Sequence, residues 1–403
     1  MSIATFNTHD VLDAPKSEAR RRWWRGPRFM VEVFDGADEA LAALEAVQGT
    51  VASQSALTST VFQSLDWLTV LFEELAPAHR AMPRVIIATE RNTGEVALIL
   101  PLLVKRKRLL RVAYFADLGV SNYGGPRLGP ALLKKSRSIR RAWRAVRKSL
   151  GKIDLLRLEN MPAEIGGIAN PLLTRSGLAP SRRSGWIVHI PGTVDDYVDS
   201  RGRTHRDELA KAWMAWRKKP SPVFQRAATP EQAAYAYSML SEQSGPSPAK
   251  PASRAQMKQA ARNQFFERIA VDGSDAGLAH LFTLDADGET IAALFGVEHD
   301  GTFTILQMSD LGAAAARYSP ARLITVEVMR YFVDRGVQRF DLGNADHPFK
   351  SGFGAEEVPL YDLILARDLA AVPRATFHRV KGRARKNQRL RAISRWFTGL
   401  FVA

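Results

Sequence analysis

The stretch that most constrains this chain runs from Tyr318 to Lys350 and reads Y-S-P-A-R-L-I-T-V-E-V-M-R-Y-F-V-D-R-G-V-Q-R-F-D-L-G-N-A-D-H-P-F-K. A strand ending near Asp310 leads through a short turn into a helix opened by Ser319-Pro320, and a second strand, Val337 to Leu342, follows Gly336. Ser319 suits an N-cap and Pro320 the first helical position, where proline's missing N–H would have had no partner anyway. Leu323, Ile324, Val326, Val328, Met329 and Phe332 give the helix a broad apolar face. The amides at such a start lack intrahelical acceptors and carry partial positive charge, so a strand–helix–strand unit of this kind can hold a pyrophosphate. Taken alone, such a start more often does no more than begin a helix, and it is the ordered neighbours that add weight.

The remaining elements set the layout. Strand patterns at Phe29 to Phe34, Arg84 to Thr89, Val96 to Val104, Val112 to Phe115 and Ile153 to Leu158 alternate with helical patterns at Ala40 to Val47, Asp66 to Leu75 and Ser138 to Leu150. A second series follows, with strands at Gly185 to Ile190 and Val223 to Arg226 and helices at Thr193 to Ser200, Thr204 to Lys218, Pro230 to Gln243 and Gln256 to Ala270. The meander Ala279 to Leu284, Thr290 to Glu298 and Thr302 to Ser309 turns at Asp287-Gly288 and Asp300-Gly301, both hairpin signals, and Leu360 to Leu365 closes the series. At 403 residues and 46% hydrophobic content the chain can bury two cores. The segments are a flexible basic arm over 1–28, a first domain over 29–184, a second over 185–370, and a basic amphipathic tail over 371–403.

Several function classes drop out. Cysteine is absent, which removes disulfides, thiol nucleophiles and thiolate metal sites, and the eight histidines show no metal-binding spacing, so no metal is expected. Neither a run of eighteen apolar residues nor a basic-then-apolar leader is present, which suits a cytoplasmic protein. The net charge of +16 attracts polyanions. No recognition helix, zinc finger or RNP-like sheet accompanies it, so specific nucleic-acid recognition is not expected. From Lys381 onward, dense positive charge joins the apolar end Trp396-Phe397-Leu400-Phe401, a pattern that fits an anionic membrane surface or a basic helix with no partner.

The run Arg339-Phe340-Asp341-Leu342-Gly343-Asn344 with His347-Pro348-Phe349-Lys350 resembles the "F-D-F/L-G-x-x-x-x-Y/F-K" signature of the CelD/BcsL-type acetyltransferase-like proteins of cellulose and exopolysaccharide biosynthesis, within the GNAT superfamily. Phe62-Gln63-Ser64-Leu65-Asp66-Trp67-Leu68 resembles the family's "F-Q-S-x-x-W-L" block, and Leu100-Pro101-Leu102 and Ser121-Asn122-Tyr123-Gly124 fall in the expected order. The resemblance spans about residues 29 to 367. It implies a mixed α/β fold of two tandem GNAT-like domains, each a mostly antiparallel sheet flanked by helices. It also implies transfer of an acyl group, most simply acetyl from acetyl-CoA, to a small-molecule or carbohydrate acceptor.

On that reading the cofactor would lie against Gln307, Met308, Ser309, Arg317, Tyr318, Ser319, Ala321 and Arg322. The usual R/Q-x-x-G-x-G/A run is missing here, and Gly312 is followed by alanines and Arg317. Asp310 or His347 would take the acceptor's proton, although residues in such positions more often simply form turns, and Lys350 would hold an anionic group or pair with Asp341. Trp213 and Trp216 could stack on a sugar or pack at the domain boundary. Two other readings stay open. The layout is similar to Fem-type aminoacyltransferases, which take the acyl group from aminoacyl-tRNA, although Thr204 to Lys218 is too short for their helical hairpin. A catalytically degenerate scaffold that binds a polysaccharide synthase or a membrane is the other.

Overall fold

The computed structural model describes residues 22–25, 28–50, 57–133, 136–173, 177–242, 253–310, 320–344 and 348–386. In chain order the first half holds β1 (Arg22–Arg25), β2 (Phe29–Asp35), α1 (Ala37–Thr50), α2 (Leu65–Val70), β3 (Met82–Glu90), β4 (Val96–Lys107), β5 (Leu110–Phe115), β6 (Arg127–Leu128), α3 (Ser136–Ser149) and β7 (Leu155–Pro162). Next come β8 (Leu178–His189), α4 (Val194–Asp199), α5 (Arg203–Arg217), β9 (Val223–Arg226), α6 (Pro230–Glu242) and α7 (Arg254–Asp275). The chain then forms β10 (Ala279–Ala286), β11 (Glu289–His299), β12 (Thr302–Asp310), α8 (Pro320–Val333), β13 (Arg339–Asp341), α9 (Pro348–Gly352), β14 (Glu356–Ala366) and α10 (Val372–Lys386).

Among the described residues one sheet runs through both halves in the order β1-β2-β3-β4-β5-β7-β14-β8-β13-β12-β11-β10-β9, with β6 attached to β4. Each half repeats one plan. An antiparallel run, β2 to β5 or β9 to β12, ends in a parallel pair, β5 with β7 or β12 with β13. A helix, α3 or α8, makes the crossover that a parallel pair requires. The fold is therefore the tandem mixed α/β arrangement that the sequence implied. Both expected hairpin turns form with positive φ at both central residues, +58° and +79° at Asp287-Gly288 and +48° and +65° at Asp300-Gly301, the twist that suits adjacent antiparallel strands.

The halves share strands at their seam. β8 runs unbroken past residue 184, with a register shift between Pro180 and Ser184, and pairs with β14 and with β13. β14 in turn pairs with β7 of the first half, Leu360 opposite Pro162 and Ala366 opposite Leu155. The 184/185 division read from sequence thus falls inside a strand. Arg22–Arg25, read as part of a loose arm, pairs with Met30–Val33. At the other end, α10 docks through buried Ala375 and an Arg379 guanidinium that donates to the Ile364 carbonyl at 2.9 Å.

A core common to both halves fixes the seam. α2 opens on Ser64, whose hydroxyl accepts the Trp67 N–H at 3.3 Å, and continues as a π turn over Leu71–Leu75. Trp67 is fully buried, edge-on to Phe62 and to Phe265 of α7, with ring centroids at 5.0 Å in both pairs. Phe266 lies 6.4 Å away and leads on to Phe295 of β11. The F-Q-S-x-x-W-L block is thus a joint between halves, since its two rings and capping serine carry packing and helix geometry. Separate cores lie under α3, around Trp143 and Val146, and under α8, around Phe303, Phe332 and Phe340.

Candidate active site

β12 and β13 are in parallel register only over Thr302–Thr304 and Arg339–Asp341. β13 ends at Asp341 while β12 continues to Asp310, so the pair opens beyond that point. The register of β11 against β12 shifts in the same place, with Gln307 opposite Phe295 and Ile305 opposite Gly296, which leaves Leu306 as the extra residue of a bulge. The opposite lip of the opening is Leu342-Gly343-Asn344. Gly343 sits at φ +84°, and a Cβ there would lie 3.4 Å from the Asn122 side-chain nitrogen and 3.7 Å from the Ile305 carbonyl oxygen.

The strand end and helix start expected to hold a cofactor are in contact. Met308 reaches beneath the first turns of α8, its sulfur 3.2 Å from the Thr325 hydroxyl, which also donates to the Ala321 carbonyl at 2.7 Å. The Tyr237 hydroxyl of α6 donates to the Asn263 carbonyl at 3.2 Å, and burial pushes that phenol up to about 12. Ser309 is half-buried on β12. Arg322, expected as a free cation for phosphate, is ion-paired with Glu208 of α5. Asp310 pairs through its main chain with Ala292. Its side chain, together with Arg317, Tyr318, Ser319 and His347, lies outside the described residues.

The opening is closed on one side by the first half. The Asn344 side-chain amide donates to the Asn122 main-chain carbonyl, and the Asn344 oxygen accepts from Arg183 at 3.1 Å. Gln63 holds the same loop by donating to the Tyr123 carbonyl at 3.2 Å. Tyr123 lies over β8, where a Cβ on Gly185 would fall 2.6 Å from its hydroxyl oxygen. Asp117 accepts the Gly119 and Ser121 amides at 2.8 and 3.1 Å, and Arg262 of α7 donates to the Gly119 carbonyl at 2.6 Å. The S-N-Y-G and F-D-L-G-N blocks, read separately in the sequence, thus form one constellation.

Asp341 stands at its centre. Burial raises its carboxyl from 3.8 to about 6, against the pull of the Gly343 N–H, the Tyr123 hydroxyl and the nearby Lys350 and Arg339 charges. The Gly343 N–H donates to it at 2.8 Å. Tyr123 is held well above its ordinary value, first by burial and then by this carboxylate. Lys350 is buried, and its ammonium donates to the Gly343 carbonyl at 3.0 Å, which secures the lip of the opening. Tyr123, Arg339 and Asp341 face a cleft of about 440 Å³ between the halves, with Ser59, Thr304 and His299 on its walls. A carboxylate poised near neutrality beside a tyrosine can take a proton from a ligand in that cleft.

Sequence reasoning overlooked Asn122, Tyr123, Arg183 and Asn344 as site residues, although three of them lie in the quoted blocks. Trp216 turns out to be a packing residue, buried with its ring N–H donating to the Asp285 carbonyl at 3.0 Å. The Arg217 and Arg330 guanidiniums lie 4.1 and 5.4 Å from the Trp213 ring centroid. Among the described residues no group of three or more histidines and carboxylates is placed to hold a metal, and no helix is long and apolar enough to cross a membrane.

Residues 203–351 match the family model for the acetyltransferase (GNAT) domain. This part of the chain is similar to GNAT acetyltransferase domains. It contains β12, α8 and β13, and therefore the whole opening. Among solved structures, FemX matches with 13% identity and a TM-score of 0.49 over 82% of this chain and 96% of that one. L-PGS from Bacillus licheniformis gives 11% and 0.43, over 82% and 93%. A tandem GNAT protein from the clavulanic acid biosynthesis pathway gives 14% and 0.39, over 83% and 98%. No curated protein matches the chain.

Proposed function

We propose that the chain moves an acyl group from acyl-CoA to an amine or hydroxyl acceptor held in the cleft between its halves. The observation that carries this reading is the opening between β12 and β13, bulged at Leu306 and flanked by the start of α8, within the GNAT-like region. The pantetheine arm lies between the strands and the pyrophosphate at the α8 start, beside Ala321. Main-chain amides near the bulge polarise the thioester carbonyl. The acceptor's nitrogen or oxygen attacks the acyl carbon, the carbon–sulfur bond breaks, and the departing thiolate takes the proton back from its carrier, so that coenzyme A leaves as the thiol and the base is regenerated. Asp341 takes the acceptor's proton, with Asp310 and His347 as the other candidates. Lys350 supports this role by fixing Gly343 and keeping Asp341 from rising further.

The ordered blocks that resemble CelD/BcsL-type proteins extend the proposal to a carbohydrate acceptor in cell-surface polysaccharide production, at the cytoplasmic side of the membrane. The test is single-turnover transfer with acetyl-CoA and, separately, with aminoacyl-tRNA, on wild type and Asp341→Asn. Transfer from acetyl-CoA, reduced by about 10² to 10⁴ in the variant, is the expected result. Transfer from aminoacyl-tRNA alone would replace the donor, and no transfer from either would leave a scaffold.

A further inference from the structure

Arg127 presents an unexplained charge. It sits on β6, whose pairing with Leu98 and Ile99 and whose Leu128–Thr58 amide bonds at 2.7 and 2.8 Å leave its backbone little freedom. The residue is 7% exposed, yet its side-chain Nε and one terminal nitrogen have no hydrogen-bond partner. Burial lowers its pKa, and the Asp66 carboxylate opposes that shift without bonding to it. A buried guanidinium with empty donors is among the more costly arrangements a fold can keep, and in native structures such a group needs an explanation.

The side chain lines a groove of about 250 Å³ between the halves, with Ser59, Ser64, Asp66, Glu298 and His299. Ser59 and His299 also line the cleft that reaches Asp341, so the two spaces adjoin. Hydroxyls near a planar fork of donors are chemistry for an oxyanion, and the Asp66 and Glu298 carboxylates on the same walls favour one small anion over a polyanion. We propose that Arg127 binds an oxyanion, a carboxylate or a phosphate monoester, carried by the ligand that fills this groove. Its assignment to the acceptor rests on the acyl-transfer reading above; the site itself does not.

The test compares melting temperatures of wild type, Arg127→Met, Arg127→Lys and the exposed control Lys152→Met in sodium chloride, acetate and phosphate at equal ionic strength. In chloride, Arg127→Met should melt above wild type, because it removes a buried charge whose donors lack hydrogen-bond partners. Acetate or phosphate near ten times its dissociation constant should raise wild type and Lys152→Met by about 2 °C more than it raises Arg127→Met, which feels only the general salt effect. Arg127→Lys keeps the charge without the fork and should need about tenfold more anion. A response to acetate alone identifies a carboxylate, and a response to phosphate alone a phosphate monoester. The proposal is overturned if wild type responds to neither anion, or if Arg127→Met, or Arg127→Lys should the methionine variant not fold, gains as much as wild type. These readings need no transfer activity, so failure of the acyl-transfer account would leave them standing, and the reverse holds equally.

Discussion

The side-chain amide of Asn344 donates to the main-chain carbonyl of Asn122, a residue 222 positions upstream, and this bond seats the first half against the lip of the β12/β13 opening. Asn344→Asp replaces that donor with a carboxylate and confronts the Asn122 carbonyl with negative charge, while Arg183 can still pair with it. A buried polar group left without its partner costs about 1–3 kcal/mol. Urea unfolding should show a loss in that range, and no loss would mean that the bond does not hold the halves in solution.

Trp67 gives a larger effect through packing. It is fully buried among Phe62, Phe265 and Phe266, which come from both halves. Trp67→Ala should cost about 3–5 kcal/mol, as expected for deleting a large ring from a tight core. Both halves should lose stability together, so tryptophan fluorescence and far-ultraviolet dichroism should report one shifted transition. A loss confined to one half would contradict the shared core.

The pH dependence follows from Asp341. Its carboxyl is raised to about 6 in the fold, so between about pH 4 and 6 the folded chain keeps a proton that the unfolded chain has released. Stability therefore falls as pH rises through this window, by about 3 kcal/mol for a shift of this size. Asp341→Asn should lack that share of the slope, so its advantage over wild type should grow from pH 4 to pH 7. Equal slopes in chemical denaturation would exclude the raised value.

Lys350 lowers the Asp341 pKa as a nearby positive charge. Lys350→Met should therefore move the acid limb of the transfer-rate profile above about 6, and it should also free the Gly343 carbonyl. An acid limb that stays in place would show that another group, Asp310 or His347 among them, takes the proton.

Local rules made much of the fold readable. Asp-Gly pairs set the hairpins, and the apolar face of Leu323 to Phe332 set α8. Gly185 is the first residue of β8 legible in the sequence, because Pro180, Arg182 and Arg183 hide the pattern of its first half, which pairs with β14. Ser253 and Gln256 form a reciprocal cap that starts α7 at Arg254, a signal present in the sequence as S-R-A-Q but not used. Arg22–Arg25 gave no strand signal, since its pairing with β2 comes from tertiary context. The site was half legible. The order of the blocks pointed to the right segments, but Asn122 against Asn344 and Tyr123 against Asp341 depend on how two halves meet, which no local pattern encodes.

The central claim, that acyl-CoA lies in the β12/β13 opening with its pyrophosphate at the start of α8, is tested most directly by calorimetric titration of acetyl-CoA into wild type and Ala321→Asp. A carboxylate in the first turn of α8 tolerates the helix dipole but repels the pyrophosphate, and the account predicts wild-type binding weakened about tenfold or more in the folded variant. Equal affinities, or no binding by wild type, would contradict it.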